Sequence, residues 1–171
     1  MKQLRIISLI CALCLFLSAC ASQQPEDGSS TEPPNTVRIT IPEGASAADI
    51  GGLMEQNGLF TRSEFLAEVN RGNADSPLVQ EIGDWENRAF LLEGYLFPDT
   101  YEFYRDDSPE RVIQKLLDNL EKKITGTQKA RAKEFDMTMD EVLTLASIIQ
   151  AEAGDPAQMK TVSSVLHNRL N

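Results

Sequence analysis

The sequence has few histidines and cysteines that could serve as nucleophiles, metal ligands or acid–base catalysts. His167 is the single histidine, and the three cysteines, Cys11, Cys14 and Cys20, all lie in the first twenty residues. We therefore expect neither a Ser-His-Asp triad nor a metal site, and we interpret His167 as an ordinary surface or boundary residue. Acid–base chemistry by a carboxylate remains, and Glu152 is the carboxylate with the most unusual surroundings.

Glu152 lies in the stretch LASIIQAEAG, in which apolar and small residues predominate. At 100° per residue, one face of the predicted helix gathers the apolar positions Leu145, Ala146, Ile149 and Ala153. Glu152 falls on the flank of that face. Partial burial and the negative end of the helix dipole should both raise the pKa of Glu152, as a general acid requires. The structural alternative, which the pattern alone favours, is a boundary glutamate paired with Lys160 or Arg169.

Helix signals predict how this carboxylate is positioned. The capping box TMDE, residues 138–141, begins the helix, and Gly154 ends it at the C′ position. Asp155, three residues after Glu152, precedes a proline, so we expect a helix N-cap rather than a second catalytic acid. Upstream, the sequence Ser108-Pro109-Glu110 predicts the start of another helix.

The region before these helices predicts a small βαα module. VRITIP, residues 37–42, alternates apolar and polar residues as a half-buried strand does. Ser46 caps a first helix, and the capping box Thr61 to Glu64 begins a second one. Residues 72–84 are predicted to form a loop. The module resembles the LysM-like subdomain that accompanies some peptidoglycan enzymes.

The N-terminus has the order of an export signal: two basic residues, a short apolar run, small residues and Cys20. LSAC, residues 17–20, resembles a bacterial lipobox, which implies cleavage before Cys20 and lipid chains on its thiol. An uncleaved N-terminal anchor is the alternative. Residues 1–19 are then a signal peptide, and residues 20–36 are the lipidated cysteine and a solvated linker.

The charge of the chain argues against nucleic acid as a partner. Loss of Lys2 and Arg5 with the signal would leave 14 basic against 26 acidic residues, a net charge of −12. Such a surface repels nucleic acid and anionic lipid headgroups. We therefore expect no role in nucleic-acid binding.

Two longer motifs resemble one known family. LEGYLFPDTYEF (residues 92–103) and LASIIQAEAGDPAQMKTVSSVLHNRL (residues 145–170) are similar to the signatures of the MltG (YceG-like) endolytic lytic transglycosylases. Those enzymes are membrane-anchored and cut the glycan strands of bacterial peptidoglycan. The second signature contains a Glu-x-Glu pair, in which Gln150 replaces the first acid and Glu152 provides the second.

The resemblance implies that Glu152 is the catalytic residue. As an acid it would protonate the glycosidic oxygen between N-acetylmuramic acid and N-acetylglucosamine. As a carboxylate it would help the muramic 6-hydroxyl attack C1, which gives a 1,6-anhydro end without water. Ordinary glycosidases use two carboxylates, so a single one is consistent with this reaction. No cofactor is implied.

Four further residues of the motifs are candidates for binding the sugar: Glu93, Tyr95, Asp99 and Asn168. Acids and aromatic rings suit the hydroxyls and faces of sugars. The alternative for the first motif is that its aromatic side chains belong to the core and Asp99 holds a turn. The sequence leaves both interpretations open.

The sequence thus predicts an α+β fold, with a LysM-like module at residues 37–84 and a mostly helical, incomplete catalytic domain at residues 85–171. The family continues beyond NRL with further motifs, so we expect a fragment or a shortened relative. The expected location is the cell envelope, lipid-anchored and facing the extracytoplasmic side, with glycan strands, the membrane and cell-wall synthesis proteins as partners.

Two other functions compete with this prediction. A non-catalytic peptidoglycan-binding lipoprotein would fit the shortened chain. An aminodeoxychorismate lyase, a label that the family has sometimes carried, would need a Schiff-base lysine and a phosphate cup. The sequence shows no sign of either, so we discount the lyase.

Overall fold

The protein is mostly helical, with a single pair of strands in the part of the chain that the structure describes. The computed structural model describes residues 35–170, apart from Asp84, Trp85 and Asn87. The predicted signal peptide and Cys20 lie outside the described residues. Strand β1 (Thr36–Thr40) pairs antiparallel with β2 (Thr100–Tyr104). The α+β prediction is therefore confirmed.

The helices follow the order that the capping signals predict. They are α1 (Ala47–Gln56), α2 (Arg62–Arg71), α3 (Pro77–Gln80), α4 (Pro109–Lys123), α5 (Gly126–Glu134), α6 (Met139–Glu152) and α7 (Met159–Leu170). A 3₁₀ helix, Pro156–Gln158, stands between α6 and α7. Among the described residues, no helix is long and apolar enough to cross a bilayer.

Side-chain caps explain where most of these helices begin. The hydroxyls of Ser46, Thr61 and Thr138 each accept a hydrogen bond from the backbone N–H three residues later, and the acid at that position binds back to the cap. Such reciprocal bonds satisfy N–H groups that the first turn of a helix leaves without partners. Asp155 caps the 3₁₀ helix, since its carboxylate accepts from the N–H of Ala157 at 2.8 Å.

The prediction of a loop at residues 72–84 is wrong for Pro77–Gln80, which form helix α3. Pro77 occupies the first position of this one-turn helix, where the fixed φ of proline is already helical. Leu78 is buried in the core, so tertiary packing stabilises a turn that has no apolar periodicity of its own. The hydroxyl of Ser76 binds Glu121 of α4 rather than capping the helix.

The sheet and the core cross the predicted domain boundary after Asp84. Strand β1 comes from the predicted module, whereas its partner β2 lies beyond the boundary, and Phe65 of α2 is buried in the same core as Phe103 and Leu116. The described residues lie in one compact unit. The division into a module and a second domain stays a prediction. The likeness to a LysM-like subdomain stays a prediction.

The capping carboxylates should make the fold sensitive to acid. Hydrogen bonds from Ser46 hold the pKa of Asp49 below its ordinary 3.8, and those from Thr61 hold the pKa of Glu64 below 4.5. A carboxyl whose pKa is lower in the folded state stabilises the fold above its unfolded pKa. This stabilisation is lost as the pH falls through the folded value.

We predict that Asp49→Asn combined with Glu64→Gln flattens the decline of the unfolding free energy between about pH 5 and pH 2. Urea unfolding followed by circular dichroism at pH 6 and pH 3 measures this change. Asp75→Asn with Glu81→Gln is the matched control, because these exposed carboxylates accept no hydrogen bond from the first turn of a helix. An equal flattening in both double variants would contradict the prediction.

Candidate active site

A wide cleft of about 1550 Å³ lies between the first motif and helix α6. Its walls include residues 43–45 of the β1–α1 turn, most of residues 88–98, much of α6 and the C-terminal end of α7. The two motifs that the sequence singles out therefore face each other across one opening. A cleft of this volume, partly open to solvent, suits an extended chain better than a small enclosed ligand.

The first motif forms a series of tight turns before β2. The N–H of Glu93 donates to the carbonyl of Phe90, and the N–H of Tyr95 donates to that of Leu92, each at 3.1 Å. Gly94 has a φ of 84°, in the left-handed region that side chains with a Cβ disfavour. The glycine of the motif is thus required by the backbone between two functional candidates.

Glu93 connects the motif to helix α1. Both of its carboxylate oxygens accept from the N–H of Ala47, at 3.1 and 3.2 Å, and Ala47 is the first residue of α1. A carboxylate at this position interacts favourably with the positive end of the helix dipole. Glu93 is half-buried and also lines the cleft, so it can position the motif and face a ligand.

Tyr95 is part of a buried polar cluster with Asp140 and Arg88. The Tyr95 hydroxyl donates to Oδ1 of Asp140 at 2.5 Å, and Arg88 forms an ion pair with the same carboxylate. Burial, and then the bond to Asp140, raise the pKa of Tyr95. The cluster holds the N-terminal turn of α6 against the first motif.

Asp99 holds the turn before β2 and lies outside the cleft lining. Its carboxylate accepts from the N–H of Thr100 at 2.8 Å and from the amide of Asn119 at 3.1 Å, and Lys123 lies 3.8 Å away. The bond from Asn119, followed by the backbone bond, lowers the pKa of Asp99. These contacts match the turn interpretation of the residue, and its sugar-binding role stays a prediction.

Glu152 is the last residue of α6, and its side chain is exposed. The predicted partial burial of Glu152 is therefore wrong. Only Met139 and Asp140 of α6 are buried, because the helix packs mainly against the helices before and after it. The alternative ion pair is not formed either, since Glu152 has none with any described residue, Lys160 and Arg169 included.

The structure brings the helix of Glu152, but not its side chain, to the cleft. Gln150 and Ala151 line the cleft, whereas Glu152 and Asn168 do not. The side chain of Gln150 reaches toward the opposite wall, where a Cβ on Gly44 would lie 3.9 Å from its Nε2. The residue that replaces the first acid of the Glu-x-Glu pair thus faces the β1–α1 turn.

His167 lines the cleft, which the sequence did not predict. Its ring stacks on Phe135 with 5.5 Å between ring centroids, and Phe135 is 51% exposed. Arg88 and Asp140 were also missed. An acid in the first turn of a helix is common, so the position of Asp140 in the sequence does not indicate that it has buried partners.

Comparisons with known proteins show the family of this chain. The model of the YceG-like family matches residues 23–171, so the chain belongs to the YceG-like family. A curated relative from Bacillus subtilis, named endolytic murein transglycosylase, is 29% identical over 140 residues, which are 78% of this chain and 39% of the relative. One of the same name from Streptococcus pneumoniae serotype 2 is 31% identical over 161 residues, 85% of this chain and 29% of the relative.

The fold is also similar to a solved structure. A crystal structure of a yceG-like protein from Listeria monocytogenes superposes with a TM-score of 0.65 and 26% identity, covering 78% of this chain and 47% of that one. The chain thus spans between about a quarter and a half of the length of these proteins. It contains both motifs and the cleft between them.

The polar cluster should contribute strongly to stability. We predict that Asp140→Ala lowers the unfolding free energy by about 3 kcal/mol, because Arg88 and the Tyr95 hydroxyl lose their buried partner. Tyr95→Phe should cost about 1.5 kcal/mol, since Arg88 still pairs with Asp140. Urea unfolding measures both values. Asp118→Ala, on an exposed face of α4, is the control, and an equal cost there would contradict this role of the cluster.

Proposed function

We propose that this chain belongs to an endolytic peptidoglycan transglycosylase and that glycan strands bind in the cleft. Membership of the YceG-like family and the names of the curated relatives support the proposal. The observation that carries it is the opposition of the two motifs across one open cleft, with the helix of Glu152 as a wall. An elongated polymer can lie in such a cleft without a free end, as internal cutting requires.

In the proposed reaction Glu152 acts first as an acid. It donates a proton to the glycosidic oxygen that leaves C1 of the muramic acid, and the C1–O bond breaks. The resulting carboxylate then accepts the proton of the muramic 6-hydroxyl while that oxygen bonds to C1. The acid is regenerated, no water is consumed, and the products are a 1,6-anhydro end and a free 4-hydroxyl.

Because Glu152 is exposed, the substrate itself would have to shield it from water. A strand that extends from the cleft over the C-terminal end of α6 would cover Glu152 and exclude water from the reacting atoms. Glu93 would bind sugar hydroxyls from the opposite wall with the lone pairs that Ala47 leaves free. Tyr95 would act through Asp140, by fixing α6. Roles for Asp99 and Asn168 in binding the substrate stay predictions.

Location and partners belong to the same proposal. A lipid on Cys20 would hold the chain at the extracytoplasmic face of the membrane, where two acyl chains give stable anchoring. Nascent glycan strands and the proteins that synthesise them are found at that face. Residues 20–36 would provide the tether.

A non-catalytic glycan-binding lipoprotein is the second candidate function. The specific observation in its favour is that the side chain of Glu152 does not line the cleft. In that case the same strand would bind between the motifs without being cut.

We predict that the chain releases fragments with 1,6-anhydromuramyl ends from purified peptidoglycan and that Glu152→Gln lowers this rate by about 10²- to 10⁴-fold, because proton transfer is lost. Mass spectrometry of the digest measures the ends. Asp155→Asn is the matched control, since asparagine can also cap the 3₁₀ helix.

Two outcomes of this digest would contradict the catalytic proposal. One is the absence of anhydro ends from a folded sample, which would favour the glycan-binding lipoprotein. The other is a Glu152→Gln variant that remains as active as Asp155→Asn. Reducing ends in place of anhydro ends would indicate a hydrolase.

A further inference from the structure

The charged side chains of the cleft are mostly acids. Among the described residues, five acids and two arginines line the cleft. The acids are Glu43, Glu93, Asp136, Asp140 and Glu141, and the arginines are Arg88 and Arg169. The chain as a whole has a net charge of −10, so the cleft and the chain have the same sign of charge.

One ion pair removes an acid and an arginine from this balance. Arg88 pairs with Asp140 in the buried cluster that also contains Tyr95. The other four acids form no ion pair with any described residue. Four negative charges and the positive charge of Arg169 remain, which gives the described lining a net charge of −3.

The four remaining acids lie on both walls of the cleft. Glu43 is exposed in the β1–α1 turn, and Glu93 is half-buried in the first motif, where its carboxylate binds the N–H of Ala47. Asp136 is exposed just before α6, and Glu141 is exposed in the first turn of that helix. A ligand in the cleft therefore meets negative charge on either side, and a cleft with walls of low dielectric concentrates such a potential.

We propose that the cleft selects glycan strands by charge, and that it prefers strands with amidated stem peptides to strands whose stem peptides carry free carboxylates. This inference rests on the proposed function of the cleft. The sugars offer hydroxyl and N-acetyl groups, which are uncharged and are not repelled. Each free peptide carboxylate adds a negative charge beside the strand, and exposed charges act over roughly 10 Å at 0.1 M salt. Amidation removes this charge and leaves the size of the peptide almost unchanged.

Selection of this kind depends on repulsion of the wrong strand rather than on extra contacts with the right one. Like charges that are brought together raise the energy of a complex and so discriminate against a partner. The amidated strand needs no cation in the cleft, which agrees with a lining that has few cations. The reaction that supplies the preferred substrate is then an amidation of peptide carboxyl groups, and it precedes the cut.

The test neutralises acids inside and outside the cleft, in the Glu152→Gln chain so that strands stay intact. The cleft variant carries Glu43→Gln, Asp136→Asn and Glu141→Gln, which bring the net charge of the described lining from −3 to zero. Asparagine tolerates the φ of 54° at residue 136, and α5 shows that glutamine completes a capping box in this chain. The control variant makes matched changes at exposed positions outside the lining: Glu55→Gln, Glu102→Gln and Asp118→Asn.

Two soluble probes differ only in charge: uncrosslinked strands with free peptide carboxylates, and the same strands after conversion of these carboxylates to carboxamides. Isothermal titration calorimetry measures both affinities. At about 0.1 M salt we expect the parent chain to bind the carboxamide strands about fivefold more tightly, since exposed charge pairs are each worth at most a few-fold. The two affinities of the cleft variant should lie within about twofold of each other. The control variant should keep the preference of the parent chain, and about 1 M salt should remove it.

The inference is overturned if the parent chain binds both probes equally or prefers the free carboxylates, a comparison that needs no variant. It is also overturned if the cleft and control variants, both folded by circular dichroism, change the preference by the same amount, because the net charge of the chain would then be its cause. Equal binding of both probes, together with anhydro ends from the unmodified chain, would refute the charge selection alone. No binding of either probe by the folded parent chain would refute the proposed function as well.

Discussion

The Asp140 carboxylate is held between the Tyr95 hydroxyl and the Arg88 guanidinium, and the geometry of the cleft depends on this contact. Moving a carboxylate out of water is costly, so the contact is stable only while both partners are in place. Asp140 lies in the first turn of α6, and Tyr95 lies in the first motif. One buried interaction therefore joins the two walls and sets the direction of the helix. Glu152 follows twelve residues later, roughly 18 Å along the axis at 1.5 Å per residue.

The opposite wall is fixed by contacts of the same kind. Glu93 binds the N-terminus of α1, and Asp99 holds the turn into β2, which pairs with β1. Both Glu93 and Asp99 thus bind backbone N–H groups of the scaffold, Glu93 within the cleft lining and Asp99 outside it. Met139 and Asp140 in the N-terminal turn of α6 are buried, whereas Ala151 and Glu152 at its C-terminal end are exposed.

The sequence predicts the features that depend on neighbouring residues. Ser46, Thr61 and Thr138 begin helices because each cap and its acid lie three residues apart, and these bonds need no partner outside the first turn. Features that depend on distant residues were missed. The pairing of β1 with β2 joins residues that lie 60 to 68 positions apart, and α3 is stabilised by the burial of Leu78.

In the candidate site, too, the sequence predicts local features and misses those that depend on distant residues. The motifs identify the family. The burial of a helix face depends on what packs against it. The amphipathic pattern around Glu152 therefore could not predict that Glu152 is exposed. Asp140 looks like an ordinary first-turn acid, although its partners lie 45 and 52 positions away.

In the proposed function a glycan strand lies between the first motif and α6. The decisive experiment is a titration of the isotope-labelled Glu152→Gln chain with soluble glycan strands, followed by NMR of the backbone amides. We expect the shift changes to concentrate on Gly94, Ser147 and Gln150 and to spare the outer face of α2. Changes centred on α2, or spread evenly over the surface, would contradict it.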